Sequence, residues 1–339
     1  MPSLSLLLAV VDTVSVLFLG DIMQHRQQLH SALIPGSDTL QSASYDYSSY
    51  FRHIQPMIDA ADFTVANMEF CLGGPPYTGY PSFSAPESLA EEAADAGVDL
   101  FLCANNHICD RGRRGLASSI DRYETLGVPF TGIYRDSLSE ASANPFITDI
   151  GGARVAFVNF TYGTNGVSVP PPFIVNKMES GAVREAIRRA QEAGADIIIA
   201  LPHWGPEYVT EPSVRQKEWA GRLLEWGADV VIGTHPHVVQ RAELPVVYSL
   251  GNLISNMSRR DTELGLAYRL DIAVTFWGLA YVAGGEALPL WCSRPGGYGE
   301  QYTVLPVKEF LDRKEEFLGS WNYDRMIETY NRLKPLFEQ

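Results

Sequence analysis

The chain has few cysteines and no Cys-x-x-Cys pair among its 339 residues. Its four cysteines are Cys71, Cys103, Cys109 and Cys292. A chain of this length can build a core without a disulfide framework, because 46% of its residues are hydrophobic. We therefore expect free thiols, and we expect Cys103, at the end of an apolar run, to lie in the core.

Positive charge is also scarce. Lysine and arginine total 26 against 40 aspartates and glutamates, which gives a formal net charge of −14. This balance argues against a nucleic-acid partner, because phosphate backbones are bound by basic surfaces. It does not argue against a small phosphate-bearing substrate, because a bound metal ion can reverse the field of an acidic site.

Long hydrophobic runs are absent, although a membrane-spanning helix takes about 20 apolar residues. Residues 1–11 are mostly apolar, but this stretch is short and no lysine or arginine precedes it. Two interpretations of an N-terminal segment at residues 1–13 stay open. It is either the remnant of a signal sequence, or an edge strand or disordered segment.

Short apolar, β-branched runs alternate with helical patterns over the first 250 residues. The runs lie at residues 14–19, 63–66, 99–103, 154–160, 196–201, 229–232 and 246–250. The helical patterns lie at residues 86–96, 115–126, 181–193 and 213–226. This alternation predicts an α/β fold with covered sheets. Further strand-like stretches (270–276, 302–307) and helical patterns (308–317, 324–333) follow, and we expect residues 257–339 to complete the same domain.

The unit Gly-x-Asp recurs where a predicted helix gives way to a predicted strand. Its copies begin at Gly97, Gly194 and Gly227, where a left-handed C-cap is expected. Polar clusters follow the same strands, namely Asn105-Asn106-His107, His203-Trp204-Gly205 and His235-Pro236-His237. Since ligands bind at the carboxyl ends of strands in open α/β sheets, these clusters are predicted to face one site.

Side chains that bind metals are concentrated at these strand ends. Asp21 and Glu69 follow the first two apolar runs. The candidate donors are Asp21, Glu69, an asparagine of the Asn105-Asn106 pair, and three or four of the histidines His107, His203, His235 and His237. Such oxygen and nitrogen donors suit Mn, Fe, Zn or Mg, and there are more of them than one tetrahedral zinc can use. They are enough for two divalent metals bridged by a carboxylate. The alternative is a core of mutually hydrogen-bonded histidines without metal.

Two of these histidines flank Pro236. In an extended chain, side chains two residues apart point to the same side. Proline also favours an extended conformation for the residue before it. We therefore expect His235 and His237 to share one face of an extended segment.

In this order, the motifs resemble those of the calcineurin-type metallophosphoesterases. They are more closely similar to those of the poly-γ-glutamate capsule biosynthesis (CapA) family within that superfamily. The resemblance spans residues 14–256, and its motifs are Gly20-Asp-Ile-Met23, Asn67-Met-Glu69, Phe83-Ser-Ala-Pro86, Ala104-Asn-Asn-His107 with Asp110, Gly112 and Gly115-Leu116, His203-Trp-Gly205, Gly233-Thr-His-Pro-His-Val-Val-Gln240 and Tyr248-Ser-Leu-Gly-Asn252. It implies a four-layer α-β-β-α sandwich of metallophosphoesterase type, with mixed sheets.

The resemblance also implies roles for single residues. Asn106 matches a metal-binding asparagine, and His107 matches the catalytic histidine that contacts the phosphate or protonates the leaving group. His235 and His237 match histidines that bind one metal each. Asp21 would hold the first metal, and Glu69 would replace the usual bridging aspartate. His203 would be a further metal ligand.

Two positions depart from the superfamily pattern. Met23 occupies the place of a histidine that binds the first metal, so one metal site is expected to be weakened or lost. His25, four residues after Asp21, either replaces that ligand or begins a helix. Glutamate at position 69 also reaches one methylene further than aspartate would.

Asn105, Arg111 and Asn252 are the candidate substrate-binding residues. A guanidinium at position 111 could hold a phosphate or a polymer carboxylate, or belong to a solvated helix start. Two functions are open. One is a metal-dependent hydrolase acting on a phosphoester or on a γ-glutamyl polymer. The other is a non-catalytic or amide-acting accessory subunit that binds an anionic polymer or a polyglutamate synthase complex. Both imply an exported or cell-envelope location in a bacterium.

Overall fold

The computed structural model describes residues 10–338, so residues 1–9 of the predicted N-terminal segment lie outside the described range. The strands are β1 (Val10–Ile22), β2 (Phe63–Met68), β3 (Leu100–Leu102), β4 (Phe130–Thr131), β5 (Ile133–Tyr134), β6 (Phe146–Ile150), β7 (Ala153–Thr161), β8 (Ile174–Val175), β9 (Ile197–His203), β10 (Val230–Ile232), β11 (Ala242–Glu243), β12 (Val246–Val247), β13 (Asn252–Ile254), β14 (Leu264–Thr275), β15 (Ala280–Ser293) and β16 (Thr303–Pro306). The helices are α1 (Arg26–Ala32), α2 (Gln55–Asp59), α3 (Glu87–Asp95), α4 (Gly112–Leu126), α5 (Ser137–Ala143), α6 (Ser180–Glu192), α7 (Val214–Trp226) and α8 (Ser320–Leu333).

Two mixed sheets form the centre of the molecule. The first has the strand order β16-β15-β14-β1-β2-β3-β4, and β13 also pairs with β1. The second has the order β11-β12-β10-β9-β7-β6. β1 runs parallel to β2 and antiparallel to β14, whereas β9 runs parallel to both of its neighbours. The strands that follow residue 257 thus extend the first sheet.

Apolar side chains cover both faces of each sheet, as is typical of strands buried on two sides. In β1, Val16 and Phe18 lie in the core between the sheets, while Leu17 and Leu19 lie in the core beneath α3 and α4. On the outer face of the second sheet, α6 and α7 pack against β7 and β9. The order of layers is therefore helix, sheet, sheet, helix, which confirms the predicted α-β-β-α sandwich.

The recurring Gly-x-Asp unit connects each strand to the strand beside it. The Asp99 carboxylate accepts a hydrogen bond from the Thr64 amide at 2.7 Å, and Asp229 accepts one from the Ile198 amide at 2.8 Å. Asp196 does the same for Arg154 at 2.8 Å. The glycine of each copy has the expected positive φ, for example 109° at Gly227. Each copy thus ends a helix and starts the next strand in register.

One predicted helix is wrong. Residues 308–317 form two short 3-10 segments, Val307–Phe310 and Lys314–Glu316, instead of an α-helix. Val307, Phe310 and Phe317 are buried in the core between the sheets. Apolar residues three apart suit either helix type, so the sequence pattern does not separate the two. Further 3-10 segments are Ser42–Ser44 and Lys334–Leu336.

The described part of the chain can be compared with the expectations about cysteines and membrane-spanning helices. All four cysteines are free, as predicted, and all four are buried, including Cys103 as expected. Between residues 10 and 338, no helix is both long and apolar enough to cross a membrane.

Candidate metal centre

The ends of adjacent strands bring the predicted donors together. Asp21, near the end of β1, is in register with Asn67 of β2 and with Asn252 of β13. Glu69 directly follows β2, and its amide donates to the Ile22 carbonyl at 3.0 Å. His203 is the last residue of β9 in the second sheet. The two sheets therefore meet at this edge through their polar strand ends.

Gly20 explains how the strands approach so closely. A Cβ atom at this position would lie 2.2 Å from the carbonyl oxygen of Gly251. Any larger residue would separate β1 from the turn before β13 and move Asp21 away from its neighbours. The glycine in this motif is therefore required by backbone packing beside the site.

The donors form two overlapping groups. Glu69, His235 and His237 offer ligand atoms within 4.8 Å of one another, and so do Asp21, Glu69 and His203. Glu69 belongs to both groups. Its Oε1 lies 3.6 Å from His203 Nε2 and 3.6 Å from His237 Nε2. A carboxylate in this position would be available to a divalent metal in either group.

Asn67 and Thr234 orient two of these donors, and the predicted ligand Asn106 contacts one of them. Asn67 donates to Asp21 Oδ1 at 2.6 Å. The Oδ1 atom of Asn106 lies 2.8 Å from His203 Nε2, and Thr234 Oγ1 lies 3.0 Å from His203 Nδ1. Hydrogen-bonded groups of this kind fix the tautomer and the direction of a metal-binding ring.

The backbone around Pro236 differs from the prediction. His235 and His237 have φ values of 96° and 58°, in the left-handed region, so the segment is not extended. Such conformations are strained for residues other than glycine and cluster at functional sites. The two rings nevertheless face the cluster, with centroids 5.5 Å apart. The expectation of a shared face on an extended chain is wrong, and the convergence arises from a tight turn.

Burial dominates the electrostatics of the site. The Glu69 side chain has no exposed surface. Burial, and then the negative charges of Asp21 and Glu207, hold the pKa of Glu69 well above its usual range. Burial and the neighbouring histidines hold the pKa values of His203 and His235 well below theirs. The imidazoles are therefore neutral, which is the form that binds metals.

Several buried atoms fit a bound cation. Among residues 10–338, neither carboxylate oxygen of Glu69 has a hydrogen-bond partner, and Asn67 Oδ1 and His235 Nδ1 also lack one. Leaving such atoms buried and unpaired costs free energy, about 1–3 kcal/mol for a neutral group and more for a charge. Divalent metal ions held by the carboxylates and imidazoles would satisfy these atoms. The donor set therefore fits Mn, Fe, Zn or Mg.

His107 lies beside this cluster in a different setting. Its Nδ1 lies 2.8 Å from Asp110 Oδ2, which also accepts the Phe83 amide at 2.8 Å. The Phe83 ring packs edge-on against the imidazole at 4.5 Å. Because a carboxylate only accepts, Nδ1 carries the proton and Nε2 is left for another partner. A charge on His107 lowers the pKa of both His203 and His235, which reflects how near it lies.

The predicted additional ligand, His25, is not in either donor group. Its ring is at the N-cap of α1, with Nδ1 3.1 Å from Gln28 Oε1 and 3.3 Å from the Asn256 amide. Burial lowers the pKa of His25 to about 4. The helix-start interpretation of His25 therefore fits better than the ligand interpretation. Met23 is fully buried in the core under the outer helices.

The predicted substrate-binding residues lie in three different environments. Asn105 is buried, donates to the Met68 carbonyl and accepts from the His107 amide, so it shapes the turn before the histidine. Arg111 donates to Thr78 Oγ1. Asn252 is buried, with Oδ1 3.0 Å from His237 Nδ1. Asn105 and Asn252 therefore position histidines rather than offer free amides.

Asn67 and Tyr162 are among the site residues that the sequence reasoning missed. Asn67 precedes Glu69 by two residues, so strand alternation places both on one face, and this signal could have revealed it. Tyr162 follows β7 directly, and its ring lies 4.5 Å from that of His235 with 42% of its surface exposed. The strand-end rule that identified His203 would also have identified Tyr162.

The fold and the site define a class: a four-layer α/β protein with a buried carboxylate–imidazole centre suited to divalent metals. The family model of the Bacterial capsule synthesis protein PGA_cap matches residues 15–257. The chain therefore belongs to the PGA_cap family, as the resemblance to CapA proteins predicted.

Named relatives and a solved structure resemble the chain to different extents. The chain is 26% identical over 260 residues to the Capsule biosynthesis protein CapA of Bacillus anthracis, covering 72% of this chain and 60% of that protein. It is 26% identical over 266 residues to the PGA biosynthesis protein CapA of Bacillus subtilis (strain 168), covering 72% and 63%. The chain thus spans about three fifths of these relatives. The Haemophilus influenzae NAD nucleotidase (NadN) structure has a TM-score of 0.47 and 15% identity, covering 95% of this chain and 56% of that one.

Proposed function

We propose that the protein is a metal-dependent hydrolase of phosphoester or γ-glutamyl substrates that acts in capsule biosynthesis at the cell envelope. The observation that carries this proposal is the Glu69 carboxylate, buried and unpartnered between two overlapping groups of metal-binding side chains. Divalent metals bound there would supply the positive charge that activates water and stabilises a developing oxyanion. The metal ligands would be Asp21, Glu69, Asn106, His203, His235 and His237.

His107 supplies the proton in this proposal. Asp110 accepts a hydrogen bond from the Nδ1–H group and fixes the ring, which leaves Nε2 as the nitrogen that carries the transferred proton. The Nε2 atom then protonates the leaving-group oxygen of a phosphoester, or the leaving nitrogen of a γ-glutamyl amide. Phe83 excludes water from one edge of the ring.

Metal analysis tests the proposal. The wild type should hold about two divalent metal ions per chain and should hydrolyse p-nitrophenyl phosphate or bis-p-nitrophenyl phosphate with added manganese. Glu69→Gln and His235→Ala should lose metal and activity together. His30→Ala, at an exposed position in α1, is the matched histidine control and should keep both. A wild type that binds no metal after reconstitution would contradict the proposal.

A second candidate function is favoured by Met23. Because this methionine is buried in the hydrophobic core, the superfamily's first-metal histidine has no counterpart in either donor group. A weakened first site would suit an accessory subunit that binds an anionic polymer or a polyglutamate synthase complex. Equilibrium binding of poly-γ-glutamate by a metal-loaded protein that hydrolyses neither phosphoesters nor the polymer would favour this candidate over the hydrolase.

A further inference from the structure

The positively charged side chain of Arg259 lies at the edge of the proposed metal centre, near His237. The guanidinium of Arg259 lies over the ring of Tyr208, 5.0 Å from its centroid. The same ring lies 6.2 Å from the imidazole of His237. Tyr208 therefore contacts an exposed arginine and lies near a proposed metal ligand. Stacking on an aromatic face restricts the orientation of a guanidinium. The N–H groups, which lie in the guanidinium plane, stay free to donate hydrogen bonds.

The backbone of Tyr208 is fixed to the turn that carries the histidines. Its φ of 63° is unusual for a bulky residue, and strain of this kind is typical of functional segments. The Tyr208 amide donates to the Pro236 carbonyl at 2.8 Å. The tyrosine thus has a set position relative to His235 and His237.

The main chain of Arg259 is connected to the same histidine by a second route. Thr262 Oγ1 donates to the Arg259 carbonyl at 2.7 Å. The Asn252 amide donates to the Thr262 carbonyl at 3.0 Å, and the Asn252 oxygen lies 3.0 Å from His237 Nδ1. Both the backbone and the side chain of Arg259 are therefore positioned from His237, through Asn252 and through Tyr208.

Arg259 also differs from neighbouring arginines in its charge partners. Arg260 lies 3.8 Å from Asp261, and Arg294 lies 3.4 Å from Glu263. Within residues 10–338, by contrast, no carboxylate oxygen lies within 4.0 Å of the Arg259 guanidinium. Glu207 acts on the same tyrosine, yet Arg259 forms no ion pair with it, so in a chain with a net charge of −14 its guanidinium is available to an anion beside the proposed metal centre.

We infer that Arg259, stacked on Tyr208, binds a second oxyanion of the substrate, a carboxylate or a phosphate, beyond the group that reaches the metals. This inference rests on the proposed function, because it assumes that the reacting group lies at the metal centre. It defines the substrate class as molecules with two separated negative groups. It also makes Arg259 a specificity residue, although sequence reasoning gave it no role.

Non-hydrolysable phosphonates test the inference. Three probes with linkers of three to six carbons are compared on the manganese-loaded protein by calorimetry: an alkylphosphonate, the ω-carboxyalkylphosphonate and the α,ω-bisphosphonate. At the best linker length, a second anion should tighten binding by about tenfold or more, as expected for a charge-assisted hydrogen bond. A larger gain for the carboxylate or for the phosphonate identifies which oxyanion the site prefers.

Variants of Arg259 and Arg260 test whether Arg259 causes the gain in affinity from the second anion. Arg259→Gln should abolish it, and Arg259→Lys, which keeps the charge without the planar stack, should restore only part of it. Arg260→Gln removes the same charge one residue away and should keep the whole gain. A gain that is absent from the wild type, or that survives in Arg259→Gln, overturns the inference and leaves the proposed function intact. A metal-loaded wild type that does not bind even the alkylphosphonate contradicts the proposed function and the inference with it.

Discussion

His107 differs from the other histidines of the site because its hydrogen-bond partner is a carboxylate outside the donor groups. Asp110 accepts from both the imidazole and the Phe83 amide, so its position is fixed by the backbone. The donor histidines instead contact Asn, Thr, Asp21 or the unpartnered Glu69. In the proposed function, this division would separate proton transfer from metal binding, so that variants should remove one role without the other.

The first prediction at the residue scale concerns His107→Gln. If His107 protonates the leaving group, the variant should lose about 10²–10⁴-fold in kcat on an alkyl phosphate. The loss on p-nitrophenyl phosphate should be much smaller, because that leaving group needs no proton. Metal content should stay at the wild-type value, measured by elemental analysis. His53→Gln, far from the donor groups against Tyr298 and Phe310, is the control. Equal losses on both substrates would show that His107 is not the acid.

The second prediction at the residue scale concerns Asn252. Its oxygen orients His237, and its amide binds the Thr262 carbonyl. Removing such a supporting group typically costs about 10–100-fold in metal affinity. Asn252→Ala should therefore weaken manganese binding by this amount in a chelator competition, while Asn256→Ala, four residues further on, should not. Unchanged affinity in Asn252→Ala would show that His237 keeps its orientation without this bond.

At the scale of elements, the Gly-x-Asp units determine how strands begin. The amide of the second residue in each neighbouring strand donates to an aspartate rather than to a ladder carbonyl. Asp229→Ala leaves the Ile198 amide unpaired and should cost about 1–3 kcal/mol in the free energy of unfolding. Asp229→Asn keeps an acceptor oxygen and should cost less. Equilibrium urea unfolding measures both, and equal losses would contradict the hydrogen-bond explanation.

The same aspartate gives a pH dependence. Burial raises the pKa of Asp229 above its ordinary value, more than the hydrogen bond from Ile198 lowers it. The folded protein therefore holds this proton more tightly than the unfolded chain does. The resulting stability is fully present below the unfolded pKa of about 3.9 and is lost as the pH rises through the folded pKa. The stability of the wild type relative to Asp229→Asn should thus fall as the pH rises from 4. A difference that does not change with pH would contradict this assignment.

Elements were predictable where periodicity and capping agree. The strand runs and the helices α3, α4, α6 and α7 follow from β-branched clusters, apolar spacing and glycine after the last turn. The turn at His235 and His237 was not predictable, because its left-handed φ values depend on contacts with β1 and β13. The 3-10 segments near Val307 were missed for a related reason, since packing against the sheets decides between helix types.

At the scale of the whole molecule, the site depends on how the two sheets meet. Asp21 and Glu69 come from the first sheet, whereas His203 comes from the second and His235 from the loop that follows β10. The strand-end rule predicted which side chains would converge, because each follows a buried strand. It did not predict which oxygen would be shared by both groups. That depends on the three-dimensional register of Glu69 between His203 and His237.

The buried position of Glu69 predicts that the carboxylate stabilises the metal-bound protein but does not stabilise the metal-free protein. A metal that binds only the folded state stabilises it by about 2.7 kcal/mol at one hundred times its Kd. Manganese should therefore raise the Tm of the wild type, and a chelator should lower it. Glu69→Gln should lose this response. Its metal-free form should be at least as stable as metal-free wild type, because a neutral amide replaces a carboxyl whose ionised form burial disfavours.

Differential scanning calorimetry with manganese and with chelator makes this comparison. The control is Glu91→Gln, which removes one negative charge from the exposed face of α3 and should keep the full metal response. A metal-dependent rise in Tm that survives in Glu69→Gln would show that the bound ion does not need this carboxylate. A metal-free Glu69→Gln variant less stable than the wild type would show that Glu69 stabilises the fold itself. If neither occurs, Glu69 is retained for metal binding at the expense of the metal-free fold.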